Sequence, residues 1–422
     1  MEKQKSPEIR FQQFNDTWTE TSLGNLSQIR RGASPRPIED PKWFDKSGLF
    51  GWLRIADVTQ QNGRIFSIEQ KLSVQGQQKT LILEEPHLIL SIAATVGKPV
   101  INYVPTGIHD GFIVFLNLNA DREFIFQWLE RFRPNWFKLG QPGSQLNLNS
   151  ELVKNQSIFL SPLMEEQTQI GNFFQNLDQS IALHEKKLAQ TQNLKKAMLE
   201  KMFPKAGSKQ PEIRLKGFDG DWNGLIISDL IEGGIIDKPM DGNHGELHPT
   251  SADYIKSGVA FVMANDISNG QLNLKKCKNI SYKLSKTLQK GFAVENDVLL
   301  THKATIGETA IVPKLNTPYL VLTPQVTYYR VLNSLKLSNF FLQYSFQASY
   351  FKKAMSLAVT GATRLYIGIT EQQQLPFLIT SFKEQEAIGQ FFRQLDETLV
   401  LQHQQLQTLK NLKQAFLEKM FV

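Results

Sequence analysis

One cysteine, Cys277, stands among 422 residues. No disulfide can close within the chain, and the composition fits a reducing cytoplasm. Long apolar runs are missing as well. The longest, Leu88 to Val96, is far too short to cross a bilayer, and Met1–Arg10 is polar, so neither a membrane nor the secretory route is expected. Catalytic signatures are equally scarce. An adenine methyltransferase needs a glycine-rich loop for S-adenosylmethionine and an Asn/Asp-Pro-Pro-aromatic tetrad, and the chain has neither. A Walker loop is excluded because Gly97-Lys98 lacks the earlier glycine and runs into Pro99. Glu185-Lys186-Lys187 imitates the end of a nuclease motif but lies mid-helix without a strand-borne Asp before it, so it reads as a solvated face. With Cys277 alone, a zinc site is not expected. No catalytic residue and no metal site is assigned.

What is present is ordinary in bulk and unusual in arrangement. Hydrophobic residues make up 41% and charged residues 21%, enough to bury a sizeable core, and the length implies two or three domains. The net charge of +7 is shared almost evenly between the two halves without a basic block. It permits a polyanionic partner but does not demand one.

The decisive feature is an internal repeat. Pro7-Glu8-Ile9-Arg10-Phe11, with Phe14-Asn15-Asp16 and Trp18, returns 204 positions later as Pro211-Glu212-Ile213-Arg214-Leu215, with Phe218-Asp219-Gly220 and Trp222. Glu166–Phe203 aligns without a gap to Glu384–Phe421 at an offset of 218, identical at half its positions. Between these anchors the halves diverge, apart from islands. Ala94-Thr95-Val96-Gly97 answers Ala304-Thr305-Ile306-Gly307, Asp57 answers Asp266, and Gly143-Ser144-Gln145 loosely answers Gly361-Ala362-Thr363. Shared ends and different middles suit a duplicated scaffold with two diverged reading heads. They also suit a duplicated enzyme with one dead half.

The shared segments predict long helices. Ile170, Phe174, Leu177, Ile181, His184 and Leu188 recur in steps of four and three, as do Ile388, Phe392, Leu395, Leu399, Gln402 and Leu406. That period of 3.5 marks a coiled-coil seam. Pro162 stands before the first helix, and Pro204 with Gly207 stops it. At 1.5 Å per residue each rod spans about 55 Å and cannot bury its seam alone. Two copies in one chain favour intramolecular, antiparallel pairing over a plain dimerisation coiled coil. Joining Val422 to Met1 would recreate the central junction, so the two ends are expected to lie close together. The expected division is a recognition domain over 1–162, a long helix within 163–207, a second recognition domain over 208–380 and a second helix within 381–422. Strands are expected at Leu88–Ile92, Phe112–Leu116, Val298–Leu300 and Thr327–Tyr329, and helical patches at Phe124–Phe132 and Leu337–Lys353. The fold class is therefore mixed α/β (α+β) heads in two pseudo-twofold repeats, with the two helices paired antiparallel.

Contact chemistry concentrates in loops that mix small, hydroxyl, amide, basic and aromatic side chains, a composition suited to phosphate positioning and base-edge reading. In the first half the candidates are Arg30, Arg31, Arg36, Thr95, Lys98, Ser144 and Gln145, with Trp43 as a residue that equally suits the core. In the second they are Asn243, His244, Lys303, Thr305, Thr363, Arg364 and Tyr366. Gln145 or Arg364 could be bidentate to adenine or guanine. Each alone is as well explained as an ordinary surface residue; their matched places in two diverged repeats raise the group. Asp57 and Asp266 read as turn or cap residues.

With these features the chain resembles the specificity subunits of type I restriction–modification systems over nearly its whole length. The resemblance rests on the Glu-Gln-x-x-Ile-Gly-x-Phe-Phe-x-x-Leu-Asp opening and Leu-Glu-Lys-Met-Phe close of each helix, the Pro-Glu-Ile-Arg starts with their downstream Trp, and the Ala-Thr-Val/Ile-Gly islands. It implies a non-catalytic subunit whose two heads each read half of a split, asymmetric site in double-stranded DNA. It further implies docking of two methyltransferase subunits on the helices, joined by ATP-driven restriction/translocase subunits. S-adenosylmethionine and ATP with Mg would then bind those partners, and this chain would carry no cofactor. A coiled-coil scaffold or adaptor without DNA binding is the alternative.

Overall fold

The computed structural model describes residues 6–139, 148–361 and 365–422. Compactness divides the chain into two units, one of residues 1–185 with 405–422 and the other of residues 186–404. Each unit therefore holds one globular head and a stretch of both long helices, Met164–Lys201 and Phe382–Lys419.

The heads are built around apolar strands buried on both faces, which is why they read as continuous hydrophobic runs instead of alternating ones. In the first unit a sheet runs in the order Gln28–Arg31, Phe112–Leu116, Leu88–Ser91, Pro99–Asn102 and Arg64–Ile65. Its members are antiparallel except for the last pair. Alternate side chains point to opposite faces. Leu88, Leu90, Ile113 and Phe115 accordingly join one core with Trp18, Phe124, Trp136 and Phe174. Ile89, Phe112 and Val114 join a second core with Leu53, Val100 and Ile108. The second unit repeats the plan in the order Met240–Asp241, Val326–Tyr329, Val298–Thr301 and Thr309–Ile311. There Leu300 and Tyr329 face one core while Leu299 and Tyr328 face another. In both heads a parallel pair lies against this sheet: Gly51–Leu53 with Thr106–Ile108, and Val259–Val262 with Leu320–Leu322.

The strands fall where the apolar runs predict them. The helical patch over Leu337–Lys353 is two helices, Asn339–Gln347 and Ser349–Ala358. Ala348 between them is extended, at φ −65° and ψ 150°, a break that composition alone does not signal.

Within the first unit the two helix stretches run antiparallel. Phe174 packs on Phe421 with ring centroids 5.7 Å apart, Phe173 on Phe416 at 5.1 Å, and Asp178 meets Lys413 at 2.5 Å. Within the second, Phe203 packs on Phe392 at 6.1 Å and Lys195 meets Asp396 at 2.6 Å, again with opposite chain directions. Ile170, Phe174, Ile181, Ile388, Phe392 and Leu406 are buried, and Leu177, Leu188, Leu395 and Leu399 are half-buried. Among the described residues, the segment near the start meets the end of the second helix. Ile9 N donates to Lys419 O at 3.0 Å, the counterpart of Ile213 N to Lys201 O at 2.9 Å.

The Glu, Gln and Gly of the shared helix motif each have a physical task. Glu166 is fully buried and accepts two hydrogen bonds from the Arg10 guanidinium, at 2.5 and 2.7 Å, and one from Trp18 Nε1 at 3.2 Å. Glu384 does the same for Arg214, at 2.8 Å twice. Gln167 closes the end of the helix Arg122–Trp136 by accepting from Asp121 N and donating to Ser161 O. Gln385 matches it, accepting from Ser338 N. A Cβ on Gly171 would stand 3.0 Å from Phe124 N, and one on Gly389 2.9 Å from Phe340 Cβ, so glycine permits the close helix–helix approach.

Candidate functional site

The strand Gln28–Arg31 carries Arg30 and Arg31 to an exposed edge of the first head. There Arg31 Nε donates to the Asp110 carbonyl oxygen at 2.7 Å, and Arg36 donates to the Asp110 carboxylate at 2.7 Å. Ser34 Oγ donates to the same carboxylate at 2.9 Å. Burial raises the Asp110 pKa, but the Ser34 hydrogen bond and the Arg36 and Arg31 charges outweigh it and hold the group below its ordinary range. Trp43 belongs to the core: its ring is buried, and its Nε1 donates to Pro37 O at 2.8 Å.

Beside Asp110 lies the turn that contains the first Ala-Thr island. Ile92 N donates to Gly111 O, and Gly97 N donates to Ser91 O, closing the hairpin between Leu88–Ser91 and Pro99–Asn102. Ala94 takes φ +55° and its counterpart Ala304 +65°, followed by Gly97 at +76° and Gly307 at +92°. The left-handed region costs a residue with a Cβ about 1 kcal/mol or more, so the island is written by backbone geometry in both copies. Thr95 Oγ1 donates to Ser91 Oγ at 3.1 Å. Lys98 is committed elsewhere: its ammonium is 2.5 Å from Glu130 and 2.8 Å from Asn62, and the side chain is 13% exposed.

In the second head His244 and Lys290 flank Asp241, at 2.6 and 2.5 Å. Burial of Asp241 pushes its pKa up, but hydrogen bonds from Lys290 and His244 carry it below the ordinary carboxylate range. Asn243 is buried and holds the neighbouring backbone, donating to Lys290 O and accepting from Gln289 N. Lys303 pairs by backbone with Tyr366, whose half-exposed ring lies 5.8 Å from the Lys303 ammonium. Thr305 Oγ1 lies 3.5 Å from Ala264 O. Thus Arg31 and Arg36 are gathered at one place in the first head, and Lys303 and Tyr366 in the second. Ser144, Gln145, Thr363 and Arg364 lie outside the described residues.

Asp57 and Asp266 are turn caps: their carboxylates accept from Arg54 N and Met263 N, at 2.9 and 2.8 Å. His244 and His248 have the spacing that puts two imidazoles on one helix face. The residues between them form a 3-10 turn, Gly245–Leu247, and the His248 ring packs on Phe261 instead. Among the described residues no group of three His, Cys, Asp or Glu side chains could hold a metal ion, and no helix is long and apolar enough to cross a membrane. The residues that pattern reading missed are Asp110, Asp241 and Lys290. Each stands far in sequence from one of its partners, and the repeat does not mark them because the heads differ there.

A family model, the type I restriction modification DNA specificity domain, matches residues 15–193 and again 240–411. Among solved structures, the S subunit of a type I restriction–modification system from M. genitalium superposes with a TM-score of 0.64 at 12% identity, over 99% of both chains. A chain from a structure described as the basis of complex assembly and conformational transition of the type I R-M system gives 0.52 at 18% identity, covering 96% of this chain and 97% of that one. At such identities the likeness is one of fold.

Proposed function

Because the chain belongs to the type I restriction–modification DNA specificity family, we propose that its two heads read the two halves of one asymmetric, bipartite site in double-stranded DNA. Sequence-specific DNA recognition within such systems is the role the family carries. The observation that supports the split, asymmetric target is the contrast inside the repeat. In the first head Arg31 and Arg36 gather on Asp110, whereas in the second Asp241 takes the register position of Arg31 and carries His244 and Lys290. Two heads with different donors meet different base and phosphate patterns, and palindromy in a target mirrors true symmetry in its reader.

Two methyltransferase subunits dock on the helices. Leu183 and Leu401 are the same residue of the repeat, as are Leu194 and Leu412, and all four are exposed, by 50, 58, 44 and 43%. Leucine kept at both copies of a solvent-facing position supports a covered surface, presented once per unit, and two copies of one partner. Restriction/translocase subunits join that core. S-adenosylmethionine binds the methyltransferase subunits, ATP with Mg binds the translocase, and this chain contributes recognition without chemistry in the cytoplasm. The test is methylation by the purified complex. Adenine should be modified at a bipartite sequence, and exchanging one head should alter one half of that sequence alone. Methylation indifferent to exchange of either head would refute the reading.

A further inference from the structure

Gly32 and Gly242 occupy one point of the shared fold. A Cβ on Gly32 would stand 2.2 Å from the His109 carbonyl oxygen, and one on Gly242 1.8 Å from that of Leu322. Glycine alone lets the chain cross the end of the parallel strand Thr106–Ile108 or Leu320–Leu322. Immediately around this fixed crossing each head presents side-chain donors gathered on one carboxylate. In the first head Asp110 takes Ser34 Oγ and the Arg36 guanidinium, while its carbonyl takes Arg31. In the second Asp241, which is 5% exposed, takes His244 and Lys290, and Asn243 locks the backbone of Lys290 in place.

The donors face solvent: Arg36 is 70% exposed at its side chain, His244 52% and Lys290 37%. Each keeps unused hydrogens, because one N–H of Arg36 and one of the three on Lys290 satisfy the carboxylate. A free arginine or lysine side chain loses on the order of 2 kcal/mol of rotamer freedom when it is fixed by a ligand. A carboxylate that has already fixed it removes part of that cost. Unlike donors around the same crossing of the two heads are what a difference in sequence preference requires.

We propose that Asp110 and Asp241 are positioning residues for DNA recognition, each bracing the donors with which its own head contacts one half-site. The inference rests on the reading of the chain as a DNA reader. It makes an unusual forecast, since removing a negative charge from a DNA-facing surface ordinarily strengthens binding.

The experiment is selection of bound sequences from a pool of random duplexes by the full chain and by Asp110→Asn, Asp241→Asn and His244→Ala, each checked for its melting temperature. The expected result is that Asp110→Asn loses base preference in one half of the selected motif. Asp241→Asn and His244→Ala should lose it in the other half, each binding the wild-type motif about tenfold more weakly. Retention of both half-motifs at wild-type affinity in the variants overturns the proposal. If Asp241→Asn melts early, His244→Ala, which changes a surface ring, decides the second head: loss of its half-motif supports the brace and retention refutes it. A wild-type chain that selects no motif overturns the DNA reading itself, a result distinct from a motif that survives these substitutions.

Discussion

Asp178 accepts a hydrogen bond from the Lys413 ammonium at 2.5 Å, and the repeat copies of these two residues, Asp396 and Lys195, meet at 2.6 Å. Each carboxylate thus takes its lysine from the other copy of the helix. The same exchange places Phe421 on Phe124 and Phe174 in the first unit, and its counterpart Phe203 on Phe341 and Phe392 in the second.

Neither half of the chain is therefore self-sufficient. A fragment ending at Lys209 leaves the first head without Leu417, Met420 and Phe421, three members of its core. It also carries, in Leu199, Met202 and Phe203, the residues that match them. Such a fragment is expected to form a twofold dimer in which Lys195 of each copy reaches Asp178 of the other. Analytical ultracentrifugation checks it, and a folded monomer would count against the exchange.

The two ion pairs are not equal. Asp178 also accepts from Arg64 at 3.0 Å and Gln127 at 2.8 Å, whereas Asp396 has Tyr344 OH at 2.8 Å besides its lysine. Stranding a buried carboxylate costs about 3–5 kcal/mol, and remaining partners reduce that. Lys195→Met should accordingly destabilise the chain by about 3 kcal/mol, and Lys413→Met by about half as much. Urea denaturation of the two variants measures the difference. Burial raises the Asp178 pKa, yet Lys413, Gln127 and Arg64 bring it below normal. The stability it contributes is present above the unfolded value near 4 and fades as pH falls through the folded one.

A second titration singles out the other head. His302 is buried, and desolvation with the nearby Lys303 charge lowers its pKa to about 4, while Thr327 Oγ1 lies 2.6 Å from its Nδ1. A base depressed on folding stabilises the fold fully above its unfolded value of about 6.5, and that stability drains as pH falls toward 4. The loss amounts to about 3 kcal/mol. The first head has Ile92 at the matching place. His302→Ile should flatten the stability curve between pH 6.5 and 4, as thermal melts across that range would record; an unchanged slope would contradict the assignment.

How much of this was legible in the sequence follows from where the repeat is strong. Identity across Glu166–Phe203 and Glu384–Phe421 announced the helices and the seam, because those residues serve the same packing twice. It also held the Asp178–Lys413 relationship, since Leu-Asp and Asn-Leu-Lys recur in both copies. A heptad reading attends to apolar positions and passes over such pairs. The heads were less legible. Asn243 and Lys98 look like surface contacts by type, yet one is buried under backbone and the other is tied to Glu130. Their partners stand 32 to 47 residues away, beyond any local pattern. Asp110 and Asp241 escaped notice for the same reason.

The exposed leucines give a prediction about assembly. Leu183→Glu or Leu401→Glu changes a solvent-facing position and should leave thermal stability within about 0.5 kcal/mol. Each should remove one methyltransferase subunit of two. Native mass spectrometry of the reconstituted complex reads the stoichiometry, and retention of both subunits in both variants would refute the docking surface.

The central claim, two different heads reading one split target, is tested most directly by mapping methylated adenines in the host genome by single-molecule sequencing. The comparison sets the native chain beside one whose first head, residues 15–162, is exchanged for that of another family member. The account predicts an asymmetric bipartite motif in the first case, and in the second a motif with one half replaced and the other half and the spacing retained. A motif unchanged by the exchange, or no motif in either strain, would contradict it.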